Sequence, residues 1–388
     1  MNILMIAHET ELGGASLSLL GMIDILREKH EITVLSAKRS GPLLSELEKR
    51  GIPVITRKLY CWTLPKEKSS LVRKFVQRAA LFGNYLALPG LIRELKKRQI
   101  ELIHSNTSIL PVGGLLHKKT GLPHIWHVRE FVEQGLHMEY ILGKEKTLKC
   151  IEHTSSYIVV ISDALHREHV NYVNPNKVMR IYNGVSLHGV GILPEKIRKI
   201  LRTIEKQGKV SFLIAGKVGV QKGQVEALKA LAQLKGQGEE RPVLWVAGDG
   251  ALSELKEKAE MYGVIDRVHF LGRIDYLEAL RPHMRAELVC SACEAFGRVT
   301  IEAYLAGIPV IGTNTGGTPE LIEDGKTGFL YCKGDIEELA AHMRRAIEAE
   351  EECRKMGQKG KEFAQKYFTA ERNASEVEKL YQEAVSGH

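Results

Sequence analysis

Two glutamates, Glu294 and Glu302, stand eight residues apart on either side of Gly297. An ionised carboxylate accepts two hydrogen bonds from a sugar diol well and is a poor partner for a phosphate. The stretch between them is the complement. Residues 298–306 are good helix formers, Gly307-Ile308-Pro309 ends them, and Pro309-Val310-Ile311 resumes as a buried strand. Gly297 is therefore predicted just before a helix start. Unpaired N–H groups there favour an anion, and the missing side chain lets a bulky phosphate approach the backbone. Two diol-binding carboxylates around an anion site fit a nucleoside diphosphate sugar. Spacing alone says little, because glutamates eight apart also arise as solvated surface pairs. The flanks add weight: Thr315-Gly316-Gly317-Thr318-Pro319-Glu320 follows the strand, with Thr318 expected as an N-cap and Pro319 as the first helical residue.

Cations come from a second loop. Lys217 and Lys222 flank the turn leaving the predicted strand 210–215, and Lys222 is read as opening a helix, where the dipole disfavours a cation unless an anion compensates it. Both are assigned to a leaving diphosphate, whose negative charge grows as the glycosidic bond breaks. The alternative is two solvated surface lysines. Near the N-terminus, Gly13-Gly14 precedes a helix and could present N–H groups to donor phosphates or to an acceptor, or simply make a tight turn. That loop lacks the G-x-G-x-x-G spacing of a dinucleotide site. The chain has neither D-x-D nor H-E-x-x-H, so a metal-free site without a cofactor is expected, with the nucleotide sugar as substrate. Cys290 and Cys293 form a lone C-x-x-C, read as strand-end packing, and six cysteines in this length suggest a reducing compartment.

Positioning these residues requires strands alternating with helices. Apolar runs at 2–6, 31–36, 52–55, 101–105, 124–128, 157–161 and 178–182 lack polar alternation, as parallel strands covered on both faces do. After a mixed stretch at 186–209, read as linker and connecting helix, the pattern restarts at 210–215, 243–247, 268–271, 288–291, 309–312 and 329–331. Two doubly wound α/β domains facing a cleft are expected, binding ligands at the carboxyl ends of their strands. The 388 residues are enough for two cores. No apolar run approaches a membrane span and no signal-like leader opens the chain, so a cytoplasmic protein is expected.

These motifs carry a family resemblance. Gly13-Gly14, His127, Asn183-Gly184-Val185, Gly216 with Lys222-Gly223, Ala247-Gly248-Asp249-Gly250, Phe270-Leu271-Gly272, the Glu294/Glu302 block and Gly316-Gly317-Thr318-Pro319-Glu320 occur in an order that resembles the family 4 glycosyltransferases. The resemblance implies the GT-B fold and a retaining mechanism. It further implies an acceptor-binding domain over 1–188, completed by a crossing helix at about 369–388, and a donor-binding domain over 189–368. It makes Glu294 the ligand of donor-sugar hydroxyls, Glu302 the ligand of the ribose diol, and Lys217 and Lys222 the cation pair on the diphosphate. Lysine stands where arginine is commoner at 217, which keeps the charge and loses the planar fork. Backbone groups of Gly272-Arg273 would meet the base, and those of Phe296, Gly297, Arg298, Val299 and Thr300 the sugar and phosphates, with Gly13, Gly14 and Gly216 completing the donor set. His127 would reach the transferred sugar, or serve as an interior histidine. The carboxylate that usually follows it closely is displaced in His127-Val128-Arg129-Glu130. The resemblance also implies that the acceptor attacks from the face the diphosphate leaves and that a phosphate oxygen takes its proton. Were the enzyme inverting, His8, Glu11 or His127 would be the bases to test.

Charge adds a partner. Residues 1–190 hold 26 Lys and Arg against 17 Asp and Glu, and the net excess lies there. Within them, 57–98 holds 11 basic and 2 acidic residues, interleaved with Tyr60, Trp62, Phe75, Phe82 and Tyr85. Such a segment could lie on an anionic membrane surface or be an ordinary solvated helix. No nucleic-acid motif accompanies it. The expected function is sugar transfer to a glycan acceptor, lipid-linked at the inner membrane face in bacterial surface-polysaccharide assembly. A small soluble acceptor, or non-hydrolysing epimerisation of the sugar nucleotide, is the alternative.

Overall fold

A computed structural model describes residues 1–186 and 191–387, and within it the chain divides into two units, Met1–Gly184 with Thr369–His388, and Val185–Phe368. Part of the expected linker, residues 187–190, lies outside the described residues.

The first unit is built on strands β1 (Asn2–Ala7), β2 (Glu31–Ser36), β3 (Val54–Thr56), β4 (Thr63–Pro65), β5 (Leu102–Ser105), β6 (His124–Val128), β7 (Met138–Tyr140), β8 (Tyr157–Val160) and β9 (Val178–Arg180). Seven form one sheet in the order β3-β2-β1-β5-β6-β8-β9, with every pair parallel. The apolar runs are buried on both faces: Ile3, Met5, Ile125 and Val159 face one core, Leu4, Ile6, Leu35 and Ile103 the other. The strand expected at 52–55 begins at Val54 instead. Pro53 has no N–H to give a ladder, and only its carbonyl takes part, accepting from Val34 at 2.9 Å. A two-stranded antiparallel ladder of β4 and β7 was not expected. Its three-residue strands carry little periodicity and pair across some seventy residues of chain.

The final helix, Ala370–Ser386, packs Ala374, Val377, Leu380 and Tyr381 into the first of these cores beside the Gly14–Leu26 helix. Its Tyr381 hydroxyl meets His104 Nδ1 on β5 at 2.7 Å. The last 20 residues thus complete the N-terminal unit.

The second unit holds β10 (Val210–Ala215), β11 (Pro242–Ala247), β12 (Val268–Gly272), β13 (Ala286–Val289), β14 (Val310–Thr313) and β15 (Gly328–Tyr331), parallel in the order β12-β11-β10-β13-β14-β15. In each sheet the strand order reverses once, between β1 and β5 and between β10 and β13. At such a switch point the two following connections leave in opposite directions and open a crevice at the carboxyl ends of the strands. The strand expected at 288–291 ends at Val289, because Cys290 and Ser291 leave the ladder to begin the loop that carries Glu294.

Candidate active site

The switch point of the second unit gathers most of the predicted donor residues. Lys217 and Lys222 follow β10, and Glu294 follows β13 next to it. Two contacts lock these connections together: the Ala292 N–H donates to the Gln221 carbonyl at 2.9 Å, and Gly223, at φ +66°, lies so close to Cys290 that a Cβ would stand 2.0 Å from its carbonyl oxygen. Lys222 is not the start of a helix, as expected, but the last residue of a 3-10 turn, Val220–Lys222. The α-helix begins at Gln224, after Gly223 breaks the path in the left-handed region. The side chain of Lys222 passes beside Gly216, whose Cβ would lie 3.6 Å from Lys222 Cε, and its Nζ reaches Glu294 Oε1 at 2.5 Å.

Glu294 Oε1 also accepts from Ser291 Oγ at 2.5 Å. Burial pushes the carboxyl pKa up, but the Lys222 ammonium and the Ser291 hydroxyl outweigh it and hold Glu294 below the usual carboxylate range. Both donors converge on one oxygen. The other has no hydrogen-bond donor among the described residues and keeps its lone pairs. The Gly316-Gly317 motif packs against the Glu294 backbone: the Gly317 N–H donates to the Glu294 carbonyl at 2.8 Å, and a Cβ on Gly316 would lie 2.5 Å from that oxygen. Thr318 is not the N-cap of the helix that follows. Gly317 takes that place, Thr318 and Pro319 open the helix, and the Thr318 hydroxyl is buried without a hydrogen bond among the described residues.

Gly297 caps the Arg298–Leu305 helix at φ +102°, with no side chain bonded to the first turn. The Thr300 N–H bonds back to the Gly297 carbonyl at 2.9 Å, while the buried Thr300 hydroxyl has no partner among the described residues. One turn on, Glu302 accepts from Arg298 Nε at 2.9 Å on one oxygen and from Arg281 at 2.8 Å on the other. Arg281 is fully buried and also bonds Glu287 on β13, at 2.7 and 3.3 Å. Burial opposes the charge on Arg281, yet Glu287 and Glu302 raise its pKa above the ordinary value. Glu287 is pushed up by burial, with Arg281 pulling against it. Each Glu302 oxygen keeps a lone pair beyond its arginine, enough for two hydroxyls of a diol.

Sequence reasoning missed Ser291, Arg281 and Glu287. One signal was available for the last: a glutamate inside the apolar strand Ala286–Val289 must be buried and so must have a buried cation nearby. Nothing local pointed to Arg281. Elsewhere in this unit, Lys217 is exposed and makes no ion pair among the described residues. Gly216, Gly248 and Gly272 join the ends of β10, β11 and β12: the Gly216 N–H bonds Ala247 and the Gly248 N–H bonds Gly272, each at 2.9 Å. Arg273 follows, exposed.

Gly13, Gly14 and His127 belong to the first unit. Gly13 caps the Gly14–Leu26 helix at the end of β1, again with no side-chain cap. His127, on β6, is fully buried and faces Arg129 through Nδ1 at 3.3 Å, while Nε2 has no partner among the described residues. Burial, with help from Arg129 and His104, drives its pKa well below the ordinary histidine value. A neutral ring that accepts from a guanidinium at Nδ1 carries its proton on Nε2. His127 is thus set as a hydrogen-bond donor and is badly suited to be a base. Arg129 donates to Asn106 at 2.8 Å and to Asn183, and Glu130 accepts from Thr107 at 2.8 Å and from the Ser108 N–H and hydroxyl at 2.7 and 2.9 Å. The displaced carboxylate is therefore committed to the loop after β5. Of the other candidate bases, His8 lies 4.0 Å from Glu9 and Glu11 is exposed.

Two family models cover most of the chain: Glycosyltransferase Family 4 matches residues 12–188, and Glycosyl transferases group 1 matches 195–363. The chain belongs to the family 4 glycosyltransferases. Among relatives of this glycosyltransferase, the N-acetyl-alpha-D-glucosaminyl L-malate synthase of Bacillus anthracis is 28% identical over 60% of the chain, a match that spans 60% of that relative. The capsular polysaccharide biosynthesis glycosyltransferase CapM of Staphylococcus aureus is 24% identical over 78% of the chain and 82% of CapM. The crystal structure of Anabaena Alr3699/HepE in complex with UDP and glucose superposes with a TM-score of 0.78 at 23% identity, covering 99% of this chain and 100% of that one. The shared fold is GT-B, two parallel-sheet Rossmann-like domains.

Proposed function

We propose that this glycosyltransferase moves a sugar from a nucleoside diphosphate sugar to a glycan acceptor with retention of anomeric configuration. The observation that carries the reading is the convergence of Glu294, Lys222 and the open start of the Arg298–Leu305 helix at the β10/β13 switch point, with Glu302 one turn on. Glu302 holds the ribose diol and Glu294 the sugar hydroxyls. Gly272 and Arg273 meet the base. Lys222, Lys217 and the backbone at 297–300 take the charge that grows on the diphosphate as the sugar C–O bond breaks. The acceptor oxygen forms the new bond on the same face and its proton passes to a phosphate oxygen, which agrees with His127 being a donor and not a base. Cations and helix N–H groups do here what a divalent metal does elsewhere, so transfer needs no metal.

The acceptor is read as lipid-linked, at the inner face of the cell membrane in surface-polysaccharide synthesis, with residues 57–98 against anionic lipid. CapM supports the pathway and the basic segment supports the surface. A second reading, a small soluble acceptor, is favoured by the likeness to an enzyme named for L-malate. Thermal-shift screening against UDP, GDP, ADP and dTDP sugars tests the donor, with Glu302→Ala as the control. Nucleotide stabilisation that survives this change sinks the ribose assignment.

A further inference from the structure

The helix Leu71–Lys97 reverses its polarity half-way along. From Leu88 onward it is an ordinary surface helix: Leu88, Leu91 and Leu95 are buried in the core, and Arg93, Lys96 and Lys97 are exposed. Its first four turns are the opposite. Polar groups hold this part of the helix to the protein by hydrogen bonds: half-buried Lys74 pairs with Glu139 at 2.9 Å, half-buried Gln77 donates to the Cys61 carbonyl at 2.7 Å, and the exposed Arg78 reaches back to the Ile141 carbonyl at 2.8 Å. Asn84, fully buried, bonds both the N–H and the carbonyl of Tyr60 at 2.9 Å. The face turned to solvent is apolar. Val72, Phe75, Val76, Phe82 and Leu86 recur at helical spacing with 59% to 73% of their surface exposed, and Leu71 at the tip reaches 86%.

Water would drive such a stripe inward, and the hydrogen-bonded polar anchors, with Asn84 buried among them, prevent that by fixing which side faces the protein. We infer that the outward face of residues 71–86 inserts into the acyl boundary of an anionic lipid surface, with the helix lying flat. The occupant follows from the charges around the stripe. Lys66, Lys68 and Arg73 are exposed at the same end, in a segment with 11 basic and 2 acidic residues. Anionic headgroups would meet those cations while the apolar side chains enter the layer beneath. A second copy of the chain would set the same cations against one another. Among the described residues no helix is long and apolar enough to cross a membrane, so the helix lies on the surface. Leu142 is also exposed, next to the Ile141 carbonyl that Arg78 holds, and extends the patch.

The inference rests on the membrane reading above and narrows it from 57–98 to one half of one helix. Its test is co-sedimentation of the full chain with phosphatidylglycerol vesicles, followed by a wash at about 1 M salt, which screens surface charge and leaves inserted side chains in place. The wild type should keep a salt-resistant fraction. The variant Val72→Ser, Phe75→Ser, Leu86→Ser should lose it, by about tenfold or more in partition, with an unchanged thermal midpoint because these side chains are exposed. Lys66→Ser with Lys68→Ser should weaken capture at low salt and leave the resistant fraction of bound protein. Wild-type binding that is wholly removed by salt, and that the serine variant shares, overturns insertion while leaving an electrostatic membrane contact standing. No wild-type binding at any salt overturns both. A dimer in light scattering that Phe75→Ser dissociates overturns insertion in favour of a second copy.

Discussion

The two switch points are alike in topology and opposite in how they treat charge. In the second unit each site carboxylate is matched by cations of its own: Glu294 by Lys222, Glu302 by Arg281 and Arg298. In the first, Glu130 is bound by hydroxyls and N–H groups, and the buried Arg129 is shared between asparagine oxygens. A carboxylate balanced by cations can share them with a ligand's phosphates and keep lone pairs for its hydroxyls. A carboxylate wrapped in neutral donors from a neighbouring loop holds that loop in place. The second unit thus matches its carboxylates with cations, whereas the first holds Glu130 with neutral donors and leaves His127 Nε2 without a partner among the described residues.

The charge contrast between the two units is sharpest at Lys222. Lys222→Ala should lower kcat by about a hundredfold or more, since it removes a fixed cation from developing charge and strands Glu294 in a buried setting. Initial rates with the preferred donor check it, and a rate within a factor of a few of wild type would return Lys222 to a merely structural partner. Next in size is ribose recognition. Arg281→Met should abolish most of the preference for a nucleoside diphosphate over its 2′,3′-dideoxy analogue, about tenfold, because Glu302 loses the buried anchor that aims it. Calorimetric titration of both ligands distinguishes this from general damage, which would weaken both equally.

Gly223→Ala should destabilise the second unit by about 1–3 kcal/mol through its positive φ and the Cys290 overlap, read as a lower melting temperature. The smallest effect is in pH. Burial lowers the pKa of His104 and His127 well below 6.5 and that of His124 to about 3, so the folded first unit refuses protons that the unfolded chain accepts. Their stabilisation is complete above 6.5 and is lost as pH falls from there toward the folded values, by up to about 1.4 kcal/mol per pH unit for each. Glu294, held low, keeps its contribution until pH falls below the ordinary carboxylate value of 4.5. Hydrogen exchange at about pH 5.5 should therefore open the first sheet before the second. Equal protection would break the contrast.

Much of this was legible in the sequence because it is local. A parallel strand buried on both faces shows as an uninterrupted apolar run, and a glycine before helix formers shows as an anion-ready turn, so both sheets and the start at Gly297 could be read directly. What was not legible depends on pairing at long range. The Arg281 anchor of Glu302 is 21 residues away along the chain, and the β4/β7 ladder joins segments that carry no pattern. Lys222 was located in the right loop but given the wrong backbone state, because Gly223 acts as a breaker only against Cys290, 67 residues on. The reversal in the Leu71–Lys97 helix was invisible for another reason. Periodicity reports that an apolar stripe exists, not which side of it the protein occupies.

The overlap between Gly223 and Cys290 has a consequence for engineering. The 216–224 and 290–297 loops are one mechanical part made of two stretches of sequence, so donor preference should not be portable by grafting either alone. Chimeras that exchange a single loop and bring a side chain to position 223 would push lysine and glutamate apart. Only those that move both as a cassette should retain turnover.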